Sequence, residues 1–295
     1  MSESTAGSIY DLGYRRYEGA RLGRRHAIWA LYIYSVRGVF GIGRSLSSKV
    51  GPIGLAIIAL LPAVLQLGIA AIAPPEDIEI IRPEDYYFII QIVLVIFCAV
   101  VAPELVGRDQ RTHTLSLYFS RALRRQDYAL AKFAALVTGL LAITVIPQVI
   151  MFVGNGLAAN DFGDYLQDKW TDLPSVLGSA VLLSCLIAGI GLVIAAQTPR
   201  RAYSTVGILA AFLLTSVVGA SLFEAADQDV GRFVLLISPL HVVTGFTFWF
   251  FDAAHEAESQ HAKADLPGVA YAIDAALVAL LMLALLLRRY GRISA

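Results

Sequence analysis

Charge is what this chain has least of. Only 16% of its 295 residues are Asp, Glu, Lys or Arg, 57% are hydrophobic, and the mean hydropathy is +0.67. A soluble domain of this size carries roughly a quarter charged residues, so a soluble globular fold is excluded. Cysteine is nearly absent: Cys98 and Cys185 both sit inside apolar runs, where they read as small core residues and imply no disulfide or metal framework. There is no G-x-x-x-x-G-K-S/T loop, no H-E-x-x-H, no G-x-S-x-G and no pair of intramembrane aspartates, so no nucleotide hydrolysis and no hydrolase chemistry is expected of this chain. No cleavable signal peptide is expected either. The first 49 residues hold eight Arg and Lys, and Arg15-Arg16 is followed by Tyr17, Glu18, Arg21, Arg24 and Arg25 in place of an apolar signal core.

What is present is a set of six apolar runs, each near the roughly 20 residues that cross a bilayer. They fall at about 51–73, 86–105, 130–157, 174–197, 202–223 and 268–288. The chain therefore reads as an all-α polytopic membrane protein, with a basic segment over 1–49 and a six-span domain over 50–295. Pro147 predicts a kink in the long third span, and Gly154 and Gly156 predict fraying or unwinding near its outer end.

The formal net charge of +0 conceals a strong sorting. With the N-terminus inside, the inner segments hold 19 of the 23 Lys and Arg residues: the first 49 residues, Glu104–Lys132, the turn at Arg200-Arg201, and the tail from Arg288 to Arg292. The outer segments hold only Arg82, Lys169, Arg232 and Lys263, yet 16 of the 23 acidic residues. Both termini are therefore expected in the cytoplasm.

Two segments depart from a plain six-span pattern. Between Arg24 and Arg37, arginines bracket Trp29, Tyr32 and Tyr34, which predicts a helix lying in the headgroup region. The alternative, a short extra span over 26–42, is interrupted by Arg37, Gly38 and Gly41 and spoils the charge sorting. Between Arg232 and Phe251 the chain is as apolar as a span, but counting it as one puts the C-terminal arginines outside. A helix pair dipping back from the outer surface, broken at Ser238-Pro239 and anchored by Trp249, is expected there.

The segment Glu104–Lys132 is the most informative. It carries Arg108, Arg111, Arg121, Arg124, Arg125 and Lys132 between two spans, far more than a chain reversal needs. Its centre predicts a short helix at the inner membrane surface with Leu115, Leu117, Tyr118, Phe119 and Leu123 on one side. With this segment the chain resembles the membrane subunits of ABC exporters of the ABC-2 type over nearly its whole length. The local match is Glu104, then Leu115-Ser116-Leu117, Ser120-Arg121, Arg124-Arg125 and Asp127-Tyr128, closing with Lys132. Arg111-Thr112-His113-Thr114 stands where that family commonly has Gly-Thr, and the N-terminal GYRRYEGARLGRR is similar to permeases of actinobacterial type.

The resemblance implies a bacterial plasma-membrane permease working as a dimer, with itself or a related subunit. Two separate cytoplasmic ATPases would bind ATP and Mg and press on coupling helices, contacted here by Thr114, Leu115, Leu117, Tyr118, Ser120, Arg121, Arg124, Arg125 and Asp127. Membrane lipids are further partners and nucleic acid is not.

Arginines at 121, 124 and 125 also suit a blander role, enforcing topology and binding headgroups. Glu104 at the inner end of a span requires a partner, and Arg108, one turn on, is expected to supply a structural ion pair. Asp274, the one carboxylate inside a span, fits either a substrate contact or a hydrated site near the outer surface. Gln66, Gln91, Gln148 and Asn155 suit the substrate pathway or hydrogen bonds between helices. His255 and His261 lack a third ligand at metal spacing, so no metal is expected. An ion-driven transporter or channel predicts more buried charge and an internal repeat, and an intramembrane enzyme needs more catalytic groups than Asp274 alone.

Overall fold

The computed structural model describes residues 19, 22–72, 81–120, 123–226, 228–255 and 258–292, and the side chains of these except at 47 and 228–230. Every regular element among them is helical. In chain order the helices are α1 (Gly23–Val39), α2 (Leu46–Ala70), α3 (Pro83–Ala102), α4 (Arg108–Arg111), α5 (Leu115–Phe119), α6 (Arg125–Ala158), α7 (Phe162–Lys169), α8 (Asp172–Gln197), α9 (Arg201–Ala225), α10 (Gln228–Val234), α11 (Pro239–Phe250), α12 (Gln260–Ala264) and α13 (Gly268–Gly291). Six of these helical stretches, beginning in α2, α3, α6, α8, α9 and α13, are long and apolar enough to cross a membrane. Helix is the form such sequences must take in hydrocarbon, where each backbone N–H and C=O has to be satisfied within its own segment.

Local signals set where the helices begin. Pro83 occupies the first turn of α3 after an extended Arg82, with Glu84 and Asp85 following. Ser238 caps α11 by accepting from the backbone N–H of His241, with Pro239 at the first helical position.

Cross-helix contacts fix the relative directions. The Tyr87 hydroxyl donates to the Val176 carbonyl, the Cys98 thiol to that of Ile187, and the Gln110 amide to that of Ala196. Partner numbers rise together, so α3 and α8 run side by side in one direction. Gly189 meets Met282 while the Arg289 guanidinium donates to the Ala196 carbonyl, so α13 shares that direction. The Tyr86 hydroxyl reaches the carbonyls of both Ala59 and Ile143, and further along Gln66 meets Asn155, so α2 and α6 run parallel to each other. Helices α3 and α8 form the centre, with 67% and 72% of their apolar windows buried, against 22% for α2 and 17% for both α9 and α13.

The six spans match the expected runs in number and order, with shifted ends. The first begins at Leu46 rather than 51, and the third runs from Arg125 to Ala158. The second does not stop near 105. It passes through a π-helical turn at Pro103–Gly107 into α4, so helix continues to Arg111. The expected unwinding at Gly154 and Gly156 does not occur. Helix α6 is unbroken through Pro147 to Ala158, and the two glycines instead admit the side chains of Leu67 and of Phe162 and Tyr165.

Residues 231–237 and 239–250 form a helix pair bent by 107° at Ser238, the break expected from Ser238-Pro239. Helix α1 packs along α6. Its inner face repeats at Leu31, Ser35 and Val39, its outer face exposes Trp29, Ile33 and Tyr34, and the Tyr32 hydroxyl lies 2.8 Å from that of Thr138.

Candidate functional site, an ionic hub at one end of the bundle

The end of the bundle that holds Gly23 and Gly291 concentrates the ion pairs, and three carboxylates organise it. The first is Asp109, in α4. Lys132 Nζ lies 2.9 Å from its Oδ2, and the Tyr128 hydroxyl donates to the same oxygen at 2.7 Å. Lys132 is only 3% exposed, so this is a buried charge neutralised inside the fold. The rings of Tyr118, Phe119 and Tyr290 surround that of Tyr128 at centroid distances of 5.7, 6.0 and 5.1 Å. Tyr128 and Lys132 are one helical turn apart in α6, which is why both reach a single carboxylate.

The second carboxylate is Glu104, on the π turn. Arg108 is not its partner. The i,i+4 geometry that sets Arg108 beside it belongs to an unbroken α-helix, and the wider turn carries Arg108 to an exposed position. Three other arginines surround Glu104: Arg201 at 3.3 Å, Arg111 at 3.5 Å and Arg44 at 3.7 Å. Arg44 is brought there by the turn after α1, where Gly41 takes φ +67° and a Cβ would stand 2.7 Å from the Ser48 carbonyl oxygen.

The third carboxylate is Asp127, expected to face a partner ATPase. It is instead buried, and Arg24 of α1 donates to both of its oxygens, at 2.6 and 2.8 Å. The same carboxylate accepts from the Arg124 backbone N–H and so caps α6. This residue anchors α1.

Helix α5 lies between these anchors. Leu115, Tyr118 and Phe119 turn inward at i, i+3 and i+4, while Ser116, Leu117 and Ser120 are exposed. Leu117, at 64% exposure, is therefore not on the same side as Tyr118, contrary to expectation. The Thr114 hydroxyl donates to the Asp109 carbonyl, and Arg125 donates to the Gly291 carbonyl at 3.1 Å while standing over the Phe119 ring. Arg124 is exposed, and Arg121 lies outside the described residues.

Among the pathway candidates, three link helices. The Gln66 amide donates to Asn155 Oδ1 and its oxygen accepts from the Ile81 N–H, while Gln148 donates to the Pro83 carbonyl. Gln91 Oε1 and Asp274 Oδ2 are buried atoms with no hydrogen-bond partner among the described residues.

At the opposite end, sequence reading missed a histidine stack. The His261 ring lies 5.0 Å from that of His255 and 5.3 Å from that of His241, with Phe248 closing the stack 4.5 Å from His255. Arg82 and Asp85 line the same cleft. Burial pushes His261 down to about 4, helped by the neighbouring histidines and opposed by its hydrogen bond to the His241 carbonyl, and burial lowers His255 as well. An unfolded histidine titrates near 6.5, so between that value and about 4 the unfolded segment holds a proton that the native one refuses. Stability there falls as pH falls. Amide protection factors over Pro239–Phe250 and Gln260–Ala264, taken relative to the intrinsic exchange rate at each pH, should fall from pH 7.5 to pH 5, and His261→Phe should flatten that dependence.

No family model matches the chain, and no curated protein matches it.

Proposed function

We propose that this chain is the membrane subunit of an ATP-binding-cassette exporter of the ABC-2 type, coupled through α5 to a separate cytoplasmic ATPase. The observation that carries the reading is a short exposed helix held rigidly at the ends of the spans. Tyr118 and Phe119 pin α5 to Tyr128 while Leu115 packs against the core, and Asp109 and Asp127 join its flanks to α6 and α1. A push on the outward face (Ser116, Leu117, Ser120 and Arg124) is thereby passed to α3, α6 and α13 without passing through a loose loop. Rigid elements with locked side chains are what mechanical coupling requires.

On this reading the chain lies in a bacterial plasma membrane with both termini in the cytoplasm, which the sorting of basic residues supports. Helix α1 sits at the inner headgroup layer with Trp29 and Tyr34 toward lipid, and the bent pair about Ser238 dips back from the outer surface. A second permease copy completes the pathway, and ATP and Mg belong to the partner.

The test is purification of the tagged chain from native membranes in mild detergent, with mass spectrometry of what accompanies it. A P-loop ATPase should co-purify, and Leu117→Asp/Arg124→Glu should reduce it at least tenfold while the variant inserts normally. Absence of any such ATPase from the wild type sinks the exporter reading. An ion-driven transporter is the second reading, favoured by the unpartnered oxygens of Asp274 and Gln91; it predicts transport that Asp274→Asn abolishes and that persists without ATP.

A further inference from the structure

The ionic hub carries more positive charge than its own carboxylates use. Around Glu104 stand Arg44, Arg111 and Arg201, three cations to one anion among the described residues. Their approaches of 3.3 to 3.7 Å are charge contacts, longer than the roughly 2.7–2.9 Å of a committed guanidinium–carboxylate hydrogen bond. Two of these arginines, Arg44 and Arg201, face an open cleft of about 170 Å³ together with Ser48 and Glu104. The cleft lies where α1 ends and where α2 and α9 begin. Both helices present their N-terminal ends here, and neither has an acidic residue in its first turn to offset the helix dipole. Surplus guanidinium donors and two helix N-termini make a site for an anion, and phosphate oxygens match a guanidinium fork best.

The other wall of the cleft is apolar, formed by Pro52, Val100 and Val101. Beside it α2 exposes Leu46 and Val50, and α9 exposes Tyr203 and Val206, all at more than 60%. A free phosphate ion has no use for such a wall. A phospholipid does, because its glycerol and acyl chains leave the headgroup on that side. We propose that this cleft binds the phosphodiester headgroup of an anionic phospholipid, with Arg44 and Arg201 as its ligands. Binding joins the ends of α2, α3 and α9 at the point where the π turn leads into α4 and α5, so bound lipid stiffens the same hub. The inference requires only that the six helices span a membrane, and it holds whether or not an ATPase binds α5.

Native mass spectrometry of the full chain in detergent tests it, with phosphatidylglycerol and phosphatidylcholine of identical acyl chains as probes. Phosphatidylglycerol should be retained in preference. A basic residue near a membrane surface contributes about a fivefold effect on anionic lipid binding, so Arg201→Gln should weaken retention about fivefold and Arg44→Gln/Arg201→Gln about twenty-five-fold. Arg200→Gln/Arg288→Gln removes the same charge from exposed positions outside the cleft and should stay within twofold of wild type. Equal losses in the two double variants would reduce the effect to general surface charge and overturn the site. Arg201 is 56% exposed, so the single variant folds and decides the matter if the double does not; unchanged retention there also overturns the proposal. A last arm adds inorganic phosphate or glycerol 3-phosphate to the lipid-stripped protein. Neither should raise its thermal stability as phosphatidylglycerol does, and an equal rise would assign the cleft to a soluble phosphate instead.

Discussion

Replacing Asp109 with Ala should destabilise the bundle by about 3–5 kcal/mol, the usual effect of removing one partner of a buried ion pair. The reason is what remains. Lys132, 3% exposed and aimed at the lost carboxylate, is left as an uncompensated cation among Tyr128, Tyr290 and the ends of α6 and α13. The pair itself need not be strongly stabilising, because desolvating both charges offsets most of their attraction. Asp109→Leu combined with Lys132→Met should therefore recover most of the loss, since matched apolar replacements of buried pairs are often neutral. Tyr128→Phe removes only a hydrogen bond to a charged acceptor and should cost about 1.5–3 kcal/mol. Unfolding in one fixed detergent measures all three. A neutral Asp109→Ala would mean that water reaches Lys132 and that the hub is not a sealed element. The double variant also separates stability from function: with folding restored, the outward face of α5 is intact and ATPase co-purification should return.

The second large effect concerns the grip of α1 on α6. A Cβ at Gly139 would stand 2.5 Å from Val39 Cγ1, and Val39 is fully buried at the end of α1. Gly139→Val should cost roughly 2–3 kcal/mol, at the upper end of ordinary overpacking. That outweighs the few tenths of a kcal/mol by which valine exceeds glycine in helix propensity. The clash has one relief, movement of α1 away from α6, which strains the Arg24–Asp127 contact. Gly139→Val with Val39→Gly exchanges the volumes across the same contact and should recover more than half of the loss. A neutral single variant, or a swap that recovers nothing, would show that α1 is not held there. The fluorescence of exposed Trp29, read against a second variant lacking Trp170 and Trp249, reports whether α1 has left its seat.

The six spans, the sorting of charge to one end and the break at Ser238-Pro239 were legible in the amino-acid sequence alone. Each depends on nearest neighbours: about 20 consecutive apolar residues, an excess of arginine beside them, or a proline that cannot continue a hydrogen-bonded run. The helix at 115–119 was legible for the same reason. The hub was not. Asp109 meets Tyr128 across 19 residues and Arg24 meets Asp127 across 103, separations at which residue spacing carries no information about contact. The Glu104–Arg108 pairing failed for a subtler reason. It assumed uniform α geometry, and one wide turn at Pro103–Gly107 changed which residues are neighbours. Asp127 has the composition of a surface cap, yet the tertiary fold lays α1 over it and makes it an anchor. Hydropathy and charge decide where each segment resides; which charges meet is decided only when the helices pack.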